Sequence, residues 1–152
     1  MPERIFGHVP GYPPGAHFAN RRELSRSGVH RPLVAGIAGS AYEGAESVVL
    51  SGGYEDSRDY GDVVIYTGHG GRDPDTGKQV AHQTLVRGNQ ALALSHARDL
   101  PIRVVRGARQ PSPYAPASGY RYDGLFRVAD YWRERGRSGY YAWYFKLVER
   151  PD

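Results

Sequence analysis

The chain of 152 residues contains no cysteine, only one methionine and only two tryptophans. The absence of cysteine excludes disulfides and thiolate metal sites, and it leaves the redox compartment undetermined. No apolar run approaches the roughly 20 residues that a membrane-spanning helix requires. The opening stretch, MPERIFGHVPGYPPG, lacks the apolar segment of a signal peptide, so we expect a cytoplasmic protein.

Lysine is also scarce, because only Lys78 and Lys146 accompany the arginines among the 20 basic residues, and the net charge is +4. The planar guanidinium of arginine matches phosphate oxygens and the guanine edge better than an ammonium does. This balance is compatible with a nucleic-acid partner. A genome rich in G and C would produce the same bias, so charge alone does not decide the function.

Glycine (20 residues) and proline (11 residues) are abundant, which favours strands and defined loops over a helical bundle. We predict one α+β domain over 1–152, with its core at about 7–149 and a mixed or closed sheet. The predicted helices are 17–26, capped by Gly28, and 89–100, capped by Asn89. The clearest predicted strands are 46–54, 62–68 and 102–107, with further strands in 29–39 and in the aromatic C-terminal segment.

Motifs for catalysis are scarce. The six histidines do not show helical metal-site spacing, and a nucleophile elbow, a Walker loop and a Rossmann fingerprint are absent. The stretch GHGGRD (68–73) suggests a phosphate loop but lacks the following Lys-Ser/Thr, so a tight turn is the alternative. Asp73, Asp75 and Lys78 form at most a poor nuclease set. The sequence therefore predicts a binding module with no cofactor and no metal site.

Eight motifs identify a family when they are taken together and in order. They are SGVHRP (27–32), VAGI (34–37), SGGYED (51–56), YTGHGGRD (66–73), NQALALS (89–95), PIRVVRG (101–107), YAPASGYRYDGLFRV (114–128) and YWRERGRSGYYAWYFKL (131–147). This series closely resembles the SRA-YDG (SET- and RING-associated) domain, which recognises 5-methylcytosine in DNA. The name-giving YDG stands at Tyr122–Gly124, and the resemblance extends from about Gly7 to Glu149.

The resemblance implies a PUA-like, crescent-shaped β-barrel with helices packed against it. It also implies double-stranded DNA in the concave face, with one modified cytosine flipped out of the duplex. Flipping a base loses its stacking, which costs a few kcal/mol, and two clamping aromatic rings can return roughly 1–3 kcal/mol. Tyr54 and Tyr66 stand where the clamping tyrosines of the family stand; an ordinary core or surface role is the alternative.

The polar edge of the base is expected to meet backbone groups of Ser51, Gly53 and Thr67, again by resemblance. Some relatives read YEDD after the glycines, with a carboxylate that accepts from the cytosine amine, but this chain reads YEDS. If the position of Ser57 is the ligand position, a charge-assisted hydrogen bond becomes a neutral one, roughly half as strong. Asp56 or Asp59 could substitute, and which of the three faces the base stays open.

Two loops of eukaryotic relatives enter the gap that the flipped base leaves. Val34 matches an inserted residue on the first loop, and a buried strand valine is the alternative. The second loop (73–83) is shorter here, and no arginine lies between Arg72 and Arg87, so a preference for hemimethylated CpG is not carried over. The residues predicted to enter or line a groove are Val34, Lys78, Gln79 and Val80.

Three basic residues beside the pocket motifs, His30, Arg31 and Arg72, are predicted to contact phosphates, which would make binding salt-dependent. A solvated basic face is the alternative. Trp132 and Trp143, in the aromatic C-terminal segment, are predicted to pack in the fold.

The chain most resembles a bacterial SRA domain. We therefore predict a reader of 5-methylcytosine or 5-hydroxymethylcytosine that serves a modification-dependent restriction endonuclease. Its partners would be modified duplex DNA, near the nucleoid, and a nuclease domain or subunit of the HNH type. The alternatives are a PUA-like RNA-binding module, an enzyme that acts on the base or the phosphodiester, and an SRA fold that binds DNA without flipping.

Overall fold

The computed structural model describes residues 3–52 and 57–151. Within these ranges the chain forms eight strands and two helices. In chain order they are β1 (His17–Phe18), α1 (Arg21–Ser27), β2 (Ile37–Ser40), β3 (Gly44–Leu50), β4 (Arg58–Asp59), β5 (Val63–Thr67), α2 (Arg87–Arg98), β6 (Ile102–Gly107), β7 (Tyr120–Arg135) and β8 (Tyr141–Glu149). A helix long and apolar enough to span a membrane is not found in this part of the chain.

All eight strands belong to one mixed sheet. Its order is β2-β3-β6-β7-β8-β5-β4, and β1 adds to the side of β7. The pair β3–β6 is parallel, and the other pairs are antiparallel. Across the described residues, the end strands β2 and β4 do not pair with each other, so the sheet is an open crescent. The predicted α+β, PUA-like fold is confirmed, but the sheet is not closed into a barrel.

The parallel pair β3–β6 lies between two apolar cores. Its side chains alternate, so that Val48 and Val104 face the main core, whereas Val49 and Val105 face a smaller second core. Because the pair is buried on both faces, consecutive apolar residues occur in it, as in VVL of β3 and VV of β6, in place of an alternation with exposed polar residues. Helix α2 covers the main core, and α1 covers the second core with its fully buried Leu24.

Both predicted helices exist, but their beginnings differ from the prediction. Helix α1 begins at Arg21 because His17–Phe18 pairs with β7 and because the Asn20 side chain caps the helix, accepting from Glu23 N at 3.0 Å. Gly28 ends α1 in the left-handed conformation, φ 85°, as predicted. Helix α2 begins at Arg87, so the predicted cap Asn89 lies inside its first turn.

The two tryptophans take part in packing, as predicted, but to different extents. Trp143 is half-buried and packs against the main core. Trp132 is half-exposed and stacks on Tyr144, with ring centroids 6.0 Å apart. The aromatic C-terminal segment therefore fills part of the core and also covers one face of the β7–β8 hairpin.

A buried ion-pair cluster ties the N-terminal loop to the sheet. The Arg103 side chain on β6 is completely buried and donates to the carbonyls of Gly7 and Val29, each at 2.8 Å. Its charge lies 3.6 Å from the carboxylate of Glu46 on β3, which also accepts from Arg31 at 3.0 Å. Removing one partner of a buried pair leaves an uncompensated charge in the interior.

Glu46→Gln should therefore destabilise the fold strongly, by about 3–5 kcal/mol, because Arg103 would lose its buried counter-charge. Urea unfolding measures the free energy of unfolding. The matched control is Glu43→Gln, since Glu43 pairs with Arg4 while its side chain is 58% exposed. That variant should lose at most about 1 kcal/mol. Equal losses for the two variants would contradict the structural role of the cluster.

Candidate functional site

A cavity of about 590 Å³ lies between the β4–β5 pair, the loop before β2 and the loop after β6. Of the residues predicted for the site, it is lined by Val34, Ser51, Ser57, Asp59, Tyr66, Thr67 and Arg72. The predicted pocket residues Gly53, Tyr54 and Asp56 lie outside the described residues. Seven predictions that are far apart in the sequence thus converge on one concave surface.

Tyr66 forms part of the cavity wall from the middle of β5. It is only 6% exposed, and its strand position is fixed by pairing with Phe145 of β8. A Cβ at Gly36 would lie 2.8 Å from the Tyr66 hydroxyl oxygen and 3.1 Å from His69 Nε2. The backbone at Gly36 therefore approaches the tyrosine so closely that only glycine fits without a shift.

Ser57 and Thr67 are hydrogen-bonded to each other at the cavity wall. The Ser57 hydroxyl donates to Thr67 Oγ1 at 3.0 Å and accepts from the Thr67 backbone N–H at 3.1 Å. This pair of bonds joins the residue before β4 to the end of β5. The Thr67 N–H is therefore already satisfied within the protein, and the predicted contacts of both residues with a base stay predictions.

Asp59 is a carboxylate that the protein itself satisfies. Its side chain is 2% exposed and accepts from Arg106 at 2.7 and 2.9 Å, from Gln110 at 2.8 Å and from the Gly61 N–H at 2.9 Å. Burial acts to raise the pKa of Asp59, but the bonds from Arg106 and Gly61 bring the pKa below its ordinary value. Both carboxylate oxygens of Asp59 therefore already accept hydrogen bonds within the protein. That Asp59 accepts from the cytosine amine in place of Ser57 stays a prediction.

Val34 projects from the rim of the cavity. Its side chain is 87% exposed, on a loop that precedes β2. The alternative of a buried strand valine is therefore wrong. An apolar side chain that is held out into solvent at the mouth of a cavity is available to contact whatever enters that cavity.

The prediction that His30 contacts phosphate is wrong. His30 is fully buried, donates from Nε2 to the Ala35 carbonyl at 2.8 Å and accepts at Nδ1 from the Ser47 hydroxyl at 2.7 Å. Burial lowers the pKa of His30 to about 3, so the ring is neutral. Its role is structural, because it holds the loop that carries Val34. The HRP motif in the sequence did not reveal that its histidine points inward.

The two predicted arginines have different surroundings. Arg31 pairs with the buried Glu46 and does not line the cavity. Arg72 is exposed, lines the cavity and donates from Nε to the Gly77 carbonyl at 2.8 Å. Their contacts with phosphates stay predictions, and Arg72 is the better placed of the two.

The loop with Lys78, Gln79 and Val80 does not line the cavity but is braced against the tip of the β7–β8 hairpin. Gln79 donates to the Tyr141 carbonyl at 3.2 Å and accepts from the Ser138 hydroxyl at 3.2 Å. Val80 is 51% exposed. This hairpin tip also carries basic residues that were not predicted for the site, because the guanidiniums of Arg133 and Arg135 lie 4.6 and 5.2 Å from the Tyr141 ring centroid.

His69 is a cavity residue that the sequence analysis missed. Asn89 of α2 fixes its backbone from both sides, accepting from His69 N at 2.7 Å and donating to His69 O at 2.9 Å. Burial, and then the charge of Arg72, lower the pKa of His69, which favours a neutral ring. The available signal was the GHGG stretch, for which the sequence offered only a phosphate loop or a tight turn. A group of three or more side chains that could hold a metal ion is not found in 3–52 or 57–151.

Comparison with known proteins agrees with this geometry. The family model described as the SAD/SRA domain matches residues 5–152. The chain belongs to the SAD/SRA family. The resemblance inferred from the eight motifs is therefore confirmed.

Relatives of this SRA domain occur in larger proteins with different names. The structure of the modification-dependent TagI restriction endonuclease matches with a TM-score of 0.96 and 48% identity, over 99% of this chain and 54% of that chain. E3 ubiquitin-protein ligase UHRF1 of Bos taurus is 44% identical over an alignment of 173 residues, gaps included, that covers 100% of this chain and 22% of that protein. The present SRA domain thus spans only part of either relative.

The SUVH5 SRA domain matches in structures that are named as complexes with DNA. The SUVH5 SRA complex with methylated CHH DNA matches with a TM-score of 0.80 and 40% identity, over 97% of this chain and 95% of that chain. The complex with fully hydroxymethylated CG DNA matches with a TM-score of 0.82 and 41% identity, over the same shares of both chains. At these identities the likeness extends to sequence as well as fold.

Gly36→Ala should disturb the cavity wall, because the added methyl group collides with the Tyr66 hydroxyl. Overpacking of this kind costs about 1–3 kcal/mol of stability. The measurement is the free energy of unfolding in urea, in the wild-type and in a Tyr66→Phe background. Removing the hydroxyl relieves the nearest contact, so the loss should be smaller in the Tyr66→Phe background. Equal losses in the two backgrounds would show that Gly36 is not opposed by that hydroxyl.

Acid should destabilise the fold through His30. The pKa of His30 is about 3 in the folded chain and 6.5 in the unfolded chain. As the pH falls below 6.5, the unfolded chain takes up a proton that the folded chain does not, and the free energy of unfolding decreases by up to about 1.4 kcal/mol per pH unit. Urea unfolding between about pH 7.5 and pH 5 measures this slope, because carboxylates stay mostly ionised there. The slope should decrease in His30→Gln and persist in His96→Gln, which changes an exposed histidine on α2. An unchanged slope in His30→Gln would contradict the role of His30.

Proposed function

We propose that this chain binds duplex DNA and receives a single 5-methylcytosine, turned out of the duplex, in the cavity beside Tyr66. The observation that carries the proposal is the cavity itself, which has a buried tyrosine in its wall and an exposed valine, Val34, at its rim. A flipped base needs an aromatic surface in place of its lost stacking, and the gap in the duplex favours an apolar side chain that fills it. Membership in the SRA family also supports the binding of methylated DNA.

The volume and the polar lining also suit 5-hydroxymethylcytosine. A cavity of about 590 Å³ is large enough to enclose a whole small ligand. The SUVH5 structures named above contain methylated DNA in one case and hydroxymethylated DNA in the other, which supports testing both bases. The chain acts in this proposal as a reader and not as a catalyst.

The wider role that we propose is the sensing part of a modification-dependent restriction endonuclease in a bacterial cytoplasm. The TagI structure supports this role, because its name combines modification dependence with restriction. DNA cleavage would then belong to a nuclease domain or subunit, of the HNH type in our proposal. Binding of the modified base by the present residues would direct that nuclease to foreign DNA.

A second candidate is an SRA fold that binds DNA without flipping a base. One observation favours it: this chain has Ser57 where some relatives have the last aspartate of YEDD, and the Ser57 hydroxyl is hydrogen-bonded to Thr67. Weaker recognition of the polar edge lowers the gain from flipping. Affinity and base extrusion therefore need to be measured separately.

The test of the main proposal compares three duplexes that differ only in one base: cytosine, 5-methylcytosine or 5-hydroxymethylcytosine. Fluorescence anisotropy at physiological salt gives the Kd of each. We expect tighter binding of a modified duplex. Tyr66→Ala should weaken that binding by about tenfold or more, because base–aromatic stacking contributes roughly 1–3 kcal/mol. Tyr54→Ala tests the second predicted ring in the same way.

Tyr42→Ala is the matched control, since Tyr42 is an 87% exposed tyrosine on the turn between β2 and β3 and does not line the cavity. It should retain the wild-type preference. A 2-aminopurine placed beside the modified base becomes brighter when its neighbour leaves the stack, which reports flipping. Equal Kd values for all three duplexes would contradict the proposal. Tighter binding of a modified duplex without an increase in 2-aminopurine fluorescence would favour the second candidate.

A further inference from the structure

One side chain holds the loop that carries Val34. Arg21, the first residue of α1, donates from Nη2 to the carbonyls of Pro32 at 2.8 Å and Ala35 at 2.7 Å. Its Nη1 donates to the carbonyl of Val34 itself at 3.2 Å. A single guanidinium thus bonds three of the four residues in 32–35.

The charged guanidinium of Arg21 has these loop carbonyls as its main hydrogen-bond acceptors. The side chain is half-buried, and among the described residues it has no carboxylate partner; its guanidinium carbon lies 6.0 Å from the Tyr120 ring centroid. Its Nε is buried and has no hydrogen-bond partner in the described part of the chain. Burying a cation without a counter-ion is unfavourable unless its hydrogen bonds compensate. The loop carbonyls supply that compensation.

The opposite side of the loop is also fixed. The Ala35 carbonyl accepts from His30 Nε2 at 2.8 Å in addition to Arg21, so two buried or half-buried donors hold one oxygen. Helix α1 is itself anchored, by its Asn20 cap and by the fully buried Leu24. The backbone of the loop is therefore rigid, whereas the Val34 side chain stays 87% exposed at the rim of the cavity.

We propose that Arg21 is a positioning residue that pre-organises Val34 as a wedge for the space that a flipped base leaves in the duplex. This inference rests on the proposed function. Apolar wedges act by entering between base steps, and a loop that is already ordered loses less conformational entropy when it does so. Arginine suits the role because its planar fork reaches several carbonyls at once, which an ammonium does not.

A double-mutant cycle tests the inference, with Arg21→Met, Val34→Gly and the combination of the two. Val34→Gly and Arg21→Met should each weaken binding of a duplex with 5-methylcytosine, by about tenfold and about fivefold respectively. If Arg21 acts through Val34, adding Arg21→Met to Val34→Gly should change the Kd by less than about twofold, since residues that act as a unit are not additive. Additive losses would overturn the proposal, and so would wild-type binding by either single variant.

Two further variants separate geometry from charge. Arg22→Met removes the same charge from the adjacent, exposed position of α1 and should leave the Kd within about twofold of wild type. Arg21→Lys keeps the charge but not the fork, so it should be nearly as weak as Arg21→Met. Full recovery by Arg21→Lys would show that Arg21 acts by electrostatic attraction to DNA, which contradicts a positioning role.

Binding of single-stranded DNA that carries 5-methylcytosine distinguishes a positioning role from a general structural defect, because a general defect would weaken this binding too. Such DNA has no base stack to refill, so Arg21→Met should bind it as wild type does, whereas Tyr66→Ala should bind it more weakly. Equal weakening of single-stranded and duplex binding by Arg21→Met would overturn the proposal. The wild-type preference for modified duplex, with its loss in Tyr66→Ala, separately reports on the proposed function.

Discussion

The wall of the cavity depends on the buried ion pair between Asp59 and Arg106. Asp59 lies on β4, a strand of two residues that pairs with β5 and is the last strand of the sheet among the described residues. Arg106 reaches it from β6 with two hydrogen bonds of 2.7 and 2.9 Å, and also donates to Asp123 of β7 at 2.9 Å. Bidentate bonds of this kind fix orientation as well as distance. One guanidinium therefore joins an edge strand to the middle of the sheet.

The same device occurs twice more, and it changes the meaning of the arginine-rich composition. Arg103 organises the N-terminal loop through carbonyls and Glu46, and Arg21 organises the loop that carries Val34. In all three cases a planar group with several fixed donors makes several hydrogen bonds that join its own helix or strand to another segment. Part of the basic composition is thus structural, while exposed arginines such as Arg72 face the solvent.

Neighbouring residues in one short motif have opposite surroundings. In the stretch VHRPLVAG, His30 is fully buried and neutral, whereas Val34 is 87% exposed. This inversion of the usual preference is stable because the imidazole has two hydrogen-bond partners and the valine belongs to a loop held from both sides. An exposed apolar side chain on a rigid loop at the rim of a cavity is a feature that binding explains better than folding does.

The sequence by itself determined the family, the α+β class, the Gly28 cap and the strand 102–107, because these follow from local patterns and ordered motifs. Through that resemblance it also selected seven of the residues that line the cavity. Only the tertiary structure decided that His30 points inward, that Asn89 braces His69 and does not cap α2, and that the crescent stays open. Partners that are 47 residues apart in the chain, as Asp59 and Arg106 are, meet only when strand register and bulges bring them together. Local periodicity does not encode that register, and for this reason the polar contacts of the cavity wall were beyond sequence reasoning.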